Sequence, residues 1–368
     1  MKKINVLAVG DPATYVYKDS NNKFLQKFEE MTGICVQFDI VKWADYYTTL
    51  LNSFQTYKYD IVMIAGHLWL KEFVDQGYLL KLKGQFKENY QYEDILLSIR
   101  SEMELEGNLY LLPSFCDGHI LVYRKSELKN KLSEVVSIDQ LIKIVENNSC
   151  GQENIFVLKA HPSEIFLDFL PYLRSEGVDA FDEEGNTNIN TKAGYLALKK
   201  YINMKQYCDK HVSEFGNEEV LDALQKKKCI LGVSWGGQLG QIMNDQCMEP
   251  EDLGFAALET SWNVTWSFGI NHLCKNQEQA ALFLEFITSQ AVDQVVGAYC
   301  GNPTRLSSFI AGKDIYRWYP VLLKMLTNAK PLPNLSNTGQ RIGILTEQIT
   351  KAFNNEIKVE EAFHGLNI

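Results

Sequence analysis

Residues 4–80 alternate between short apolar runs and amphipathic stretches, and this alternation restricts the fold more than any other feature of the chain. Ile4 to Val9 is a nearly continuous apolar run, as expected for a buried parallel strand. Phe24, Leu25, Phe28 and Met31 then recur at helical spacing, and Gly33 can close that helix in a left-handed cap. Ile34, Val36, Phe38 and Ile40 alternate with Cys35, Gln37 and Asp39, the pattern of a half-buried strand. Residues 45–54 read as a helix, 60–64 as a third strand, and 68–75 as a helix closed by Gly77. Strands alternating with helices predict an α/β fold with a mostly parallel sheet covered on both faces.

The pattern restarts further along. Helices are expected at 137–146, 163–175, 192–207 and 218–228, and strands at 155–158 and 229–235. Asn276 and Gln279 read as a capping box opening a helix whose apolar stripe is Ala280, Phe283, Leu284 and Ile287. The last sixty residues read as mainly helical, interrupted at Pro320, Pro331 and Pro333. A chain of 368 residues exceeds one ordinary core, so two domains are expected. No low-complexity linker separates them, so short ordered hinges are expected between them.

The formal net charge is −10, which argues against nucleic acid as a partner, since that needs a basic face. No run of about 18 apolar residues exists to span a membrane. Lys2-Lys3 resembles a basic leader start, but the following apolar run is too short for a signal segment and stops at Asp11-Pro12. The eight cysteines form no C-x-x-C pair, so no zinc or redox motif is present, and they read as small core residues. Free thiols in that number fit a cytosolic protein or a secreted one from an anaerobe.

Four segments, in order, resemble the family 1 extracellular solute-binding proteins of the maltose-binding type. Phe28-Glu29-Glu30-Met31-Thr32-Gly33-Ile34-Cys35-Val36 resembles the family's helix-to-strand step. Tyr59-Asp60-Ile61-Val62-Met63, Trp69 and the stretch from Gly77 to Leu82 resemble its next strand, aromatic position and helix end. Gly107-Asn108-Leu109-Tyr110-Leu111-Leu112-Pro113 with Asp117, Leu121, Tyr123 and Lys125 is the most specific match, although Arg124 stands where the family often has Asn. Phe268-Gly269-Ile270, the helix through Ser289, and Gly301-Asn302-Pro303-Thr304-Arg305 resemble its return strand, long helix and P-x-R turn. The resemblance implies a two-lobe, type II periplasmic-binding-protein (venus-flytrap) fold with a central mixed sheet in each lobe. It implies an N-terminal lobe of residues 1–113 and 267–310, and a C-terminal lobe of 114–266 and 311–368. A small ligand is then expected in the cleft between lobes, held by hinge closure.

Hydroxyl-rich ligands need carboxyl or amide groups for their edges and aromatic rings for their C–H faces. Ligands of open α/β sheets bind outside the carboxyl ends of strands. Trp235, at a strand end before Gly236-Gly237, is the foremost candidate, against the alternative of a buried anchor beside a tight turn. Asp11 follows the first strand as a ligand acceptor or a helix cap, and Tyr15 shares its loop. His67 and Trp69 follow the third strand, and Trp43 follows the second. Asp117 matches the acidic position after the hinge proline, while His119 reads as a core histidine. His161, Ser163 and Glu164 follow the strand at 155–158, Glu164 with the alternative of a first-turn helix carboxylate. One of Trp262 and Trp266 is expected to face ligand while the other packs. Arg305 either reaches ligand or holds its turn through backbone carbonyls, and Arg341 is a further candidate.

No P-loop, H-E-x-x-H or G-x-S-x-G motif occurs, and the six histidines form no metal-spaced cluster. The resemblance implies capture of a sugar or oligosaccharide for an ABC importer, by a monomer that docks on permease subunits, and no cofactor or metal is expected. The alternatives are a sensing protein for another solute, such as a polyamine, and a carbohydrate-active enzyme using two cleft carboxylates. The expected location is extracytoplasmic, with the leader absent from this chain, and the alternative is cytoplasmic.

Overall fold

The computed structural model describes residues 2–82, 86, 90–149, 154–299 and 301–366. The chain forms two units: Met1–Asp117 with Val264–Tyr319, and Gly118–Asn263 with Pro320–Ile368. In chain order the strands are β1 (Lys2–Gly10), β2 (Ile34–Lys42), β3 (Ile61–Ala65), β4 (Glu104–Leu105), β5 (Asn108–Leu109), β6 (Leu111–Asp117), β7 (His119–Arg124), β8 (Val135–Val136), β9 (Phe156–Val157), β10 (Leu231–Trp235), β11 (Leu253–Leu258) and β12 (Val264–Ile270).

The first unit is built on a five-stranded sheet of order β2-β1-β3-β12-β6. β1 runs parallel to β2 and β3, and β12 runs antiparallel to β3 and β6, so the sheet is mixed. Ile4, Val6, Leu7 and Ala8 are fully buried, as a strand sandwiched between helical layers requires. Gly33 closes the helix Phe24–Thr32 at φ 69°, and Gly77 lies at φ 69° after the helix Gly66–Asp75, both in the left-handed region open to glycine. The β12–β6 ladder shifts register between Trp266 and Ser267, opposite Pro113, which has no N–H to give the ladder.

The helix Gln277–Ile287 buries Ala280, Phe283, Leu284 and Ile287, the stripe expected from sequence. Its capping box does not form. Asn276 takes φ −105° and ψ 49°, away from the extended backbone of a capping residue, and its side chain accepts no bond from the first turn.

The second unit has a five-stranded sheet of order β8-β11-β7-β10-β9. β7 pairs antiparallel with β10 and β11, while β9 and β8 add in parallel at the two edges. Arg124, at the end of β7, is buried and donates to the carbonyls of Leu224, Met248 and Glu249. Its fork thus ties a helix end and a loop to the sheet, which accounts for arginine where the resemblance led one to expect asparagine. The helix Tyr319–Asn328 carries Pro320 in its first turn, where the missing N–H costs nothing, so this proline begins a helix rather than interrupting one.

The units change over at 117/118, 263/264 and 319/320, where the sequence reading set 113/114, 266/267 and 310/311. β6 stays paired with β12 through Asp117 and Val264, and Phe309 packs on Tyr319 with ring centroids 5.1 Å apart, which carries the first unit to these points. Cys116, Cys208, Cys229, Cys247 and Cys274 are buried free thiols and Cys35 is half-buried; Cys150 and Cys300 lie outside the described residues.

Candidate functional site

In the first unit the carboxyl ends of β1, β2 and β3 deliver Asp11, Trp43 and the Gly66-His67 pair. Asp11 caps the short helix Pro12–Tyr15, accepting from the Ala13 N–H at 2.8 Å. Burial pushes its carboxyl up to about 6, against the lowering effect of that bond. Tyr15 ends the same helix and is exposed. Trp43 opens the next helix and is 54% exposed, whereas Trp69 is 6% exposed. Their rings stack at 6.1 Å, and half-buried Trp266 of β12 meets both edge-on at 5.8 Å. Three tryptophans distant in sequence therefore form one aromatic wall.

Three other candidates lie in the same unit. His67 is buried, desolvation pulls its imidazole down to about 3, and its Nδ1 has no hydrogen-bond partner among the described residues. Gly66 beside it leaves no room for a side chain, since a Cβ would come within 2.7 Å of the Glu102 carbonyl oxygen. Asp117 ends β6 and accepts from the Asn302 amide at 3.2 Å. Arg305 is fully buried and donates to the carbonyls of Thr288, Tyr90 and Gln91, with Asp94 3.7 Å away. It holds the turn.

In the second unit Trp235 ends β10, half-buried, and the Gly236 N–H donates to the Gly118 carbonyl at 2.8 Å. The indole Nε1–H of Trp235 donates to Glu164 Oε2 at 2.7 Å. Glu164 precedes the helix Ile165–Ser175, and its other oxygen accepts from Asn217 at 3.3 Å and Ser163 at 3.4 Å. His161 is exposed and pairs through Nδ1 with the Ser163 hydroxyl at 2.8 Å. Trp262 is buried, donates to the Leu167 carbonyl at 3.0 Å, and meets Trp235 edge-on at 5.0 Å. Arg341 donates to the Gly185 carbonyl at 2.7 Å and serves a loop.

Sequence reasoning passed over two buried charged residues in this unit. Lys159 is fully buried with its ammonium 4.7 Å from the Trp235 ring centroid. Asp168 is buried and accepts from the Lys159 N–H at 3.1 Å and the Tyr201 hydroxyl at 3.2 Å. Burial raises the Asp168 carboxyl to about 7, with Lys159 pulling the other way. His119 Nδ1 lies 3.5 Å from Asp168, but desolvation and then Lys159 hold the imidazole well below its usual range, so it stays neutral. The available signals were a lysine directly after the apolar run Ile155–Leu158 and a lone acid amid the apolar residues 165–173. Among the described residues no group of three His, Cys, Asp or Glu side chains gathers to hold a metal, and no helix is long and apolar enough to cross a membrane.

Residues 16–294, about three quarters of the chain, match the model of the bacterial extracellular solute-binding protein family. The chain belongs to that family. Among its relatives, this solute-binding protein is 23% identical to a probable amino-acid ABC transporter periplasmic-binding protein of Sinorhizobium fredii, over 82% of this chain and 71% of the relative. It is 24% identical to a mannitol-binding protein of Pseudomonas aeruginosa, over 60% of this chain and 54% of the relative. Its fold superposes on maltose-bound MalE3 of T. maritima with a TM-score of 0.85 at 21% identity, covering 98% of this chain and 97% of that one. Two-lobed α/β architecture with mixed sheets is therefore established for this solute-binding protein. Both family and fold are those of binding proteins rather than enzymes.

Proposed function

We propose that the protein captures a sugar or polyol outside the cytoplasmic membrane and presents it to the membrane subunits of an ABC importer. The observation that carries this reading is aromatic surface placed beside carboxyl groups at strand ends in each unit. Trp235 with Glu164 supplies it in the second unit, and the wall of Trp43, Trp69 and Trp266, together with Asp11, supplies it in the first. Such rings suit the C–H faces of a hydroxylated ligand, and the carboxyl groups suit its edge. Asp11, raised to about 6 by burial, is still mostly a carboxylate near neutral pH and so suits the hydroxyl edge of such a ligand. The mannitol-binding relative and the maltose-bound structure support the same choice. The protein acts as a monomer, without cofactor and without turning its ligand over.

A thermal-shift screen against mono- and oligosaccharides, polyols, polyamines and amino acids tests the reading; amino acids enter because of the name of the Sinorhizobium relative. Ligand at about a hundredfold over its Kd stabilises by about 2.7 kcal/mol, a rise of roughly 5 to 10 °C for units of this size. The expected result is a shift with one saccharide or polyol series that Trp235→Ala abolishes. A shift with polyamines or amino acids alone would replace the ligand class.

A further inference from the structure

Lys159 lies beyond the carboxyl end of β9, the parallel neighbour of the strand that ends in Trp235. Its ammonium is completely removed from solvent and sits 4.7 Å from the Trp235 ring centroid. Burying an ammonium is costly, and an apolar side chain of the same length would fill the space at lower cost. A charge kept there despite the penalty points to a use, and the indole face 4.7 Å away is one it serves, since a desolvated cation is attracted to an aromatic face. Glu164 fixes the same ring from its edge through the 2.7 Å bond to Nε1. Asn217 and Ser163 in turn hold Glu164. The indole is thus pinned at face and edge by opposite charges carried on two separate segments, and neutral His119 meets the same ring edge-on at 5.1 Å.

We propose that Lys159 and Glu164 are positioning residues that fix the Trp235 indole as a platform for an uncharged polyhydroxylated ligand and against a cationic one, an inference that rests on the sugar-or-polyol reading. An organic cation approaching the ring meets an ammonium already on it, whereas a polyol meets a polarised, immobile aromatic surface.

The test separates ring position from ligand choice. Near-UV circular dichroism and fluorescence of the whole protein, minus those of Trp235→Phe, isolate the Trp235 signal. Lys159→Met and Glu164→Ala are expected to change that signal, and Glu164→Gln to keep it, because an amide oxygen still accepts the indole N–H. Titration with maltose, D-mannitol and spermidine then follows. The uncharged probe that binds should lose about tenfold in affinity in Lys159→Met, the scale of one desolvated cation–π contact. Spermidine should give no saturable change in the wild type. An unaltered Trp235 signal in Lys159→Met and Glu164→Ala would overturn the positioning role. If Lys159→Met does not fold, the Glu164→Ala and Glu164→Gln pair decides alone. Saturable spermidine binding would overturn the ligand preference. A wild type that binds neither maltose nor mannitol counts against the sugar-or-polyol reading, and the spectra still decide the positioning role.

Discussion

Trp43 lies over Trp69 with ring centroids 6.1 Å apart and planes 19° from parallel, one ring mostly in solvent and the other in the core. Stacked neighbours of such different burial should respond differently to truncation. Trp69→Ala opens a cavity and is expected to cost about 3–5 kcal/mol of stability. Trp43→Ala should stay within about 0.5 kcal/mol of wild type while weakening ligand by tenfold or more. Thermal melts and binding titrations of the two variants check this, and equal stability losses would show that Trp43 is a packing residue.

Arg305 spends its guanidinium on three backbone carbonyls inside the first unit. Arg305→Met should leave those acceptors unpaired and cost about 3 kcal/mol, seen as a lower melting temperature. Arg305→Lys should rescue little, because an ammonium cannot reproduce the planar fork. A ligand-free protein that melts unchanged while losing affinity would place Arg305 in the binding site instead.

Asp168 gives stability a pH dependence of definite sign. Its folded carboxyl titrates at about 7, above its usual 3.8, so between those values the folded state holds more proton than the unfolded one. Its contribution is present at low pH and is lost as pH rises through that window. His119 acts oppositely, since its lowered folded value means that the unfolded chain binds proton more readily below the ordinary imidazole value of 6.5. Asp168→Asn should therefore make the rise of melting temperature from pH 4 to 7 steeper than in wild type, and His119→Gln should make it shallower. Parallel profiles for all three proteins would show that neither group is perturbed.

Gly118 begins the second unit with no space for a side chain: a Cβ would stand 2.5 Å from the Trp262 carbonyl oxygen and 2.8 Å from the Met325 sulfur. The methionine can move, but the backbone oxygen cannot easily do so. Gly118→Ala is expected to destabilise by about 1–3 kcal/mol, the range for overpacking. A calorimetric scan that matches wild type would show that the backbone yields at this point.

How much was legible in the sequence depends on how local the signal was. β1, β2, β3 and the helices after them were readable because their signals are local: continuous apolar runs in β1 and β3, alternation in β2, one apolar face in each helix, and glycine at the left-handed closures. β7 and β11 were not assigned. They are short, wholly buried runs whose antiparallel partners lie more than a hundred residues away, and nothing inside them distinguishes a strand from a buried helix. The Asn276 capping box was legible and absent, because the backbone angle at that residue is set by its surroundings.

The candidate site divides in the same way. Strand ends placed Asp11, Trp43, His67 and Trp235, since the point where an apolar or alternating run breaks also marks where a strand stops. Sequence could not say that Trp266 joins Trp43 and Trp69, that Glu164 takes the Trp235 indole N–H, or that Lys159 stands over the ring. It also left open whether Arg305 reaches a ligand or a turn. By itself, then, the sequence determined the α/β class, the strand ends and a family resemblance, all of which rest on local periodicity and short motifs. The tertiary structure alone decided which polar groups are buried and what each one faces, because desolvation and pairing depend on neighbours that the chain supplies from distant positions.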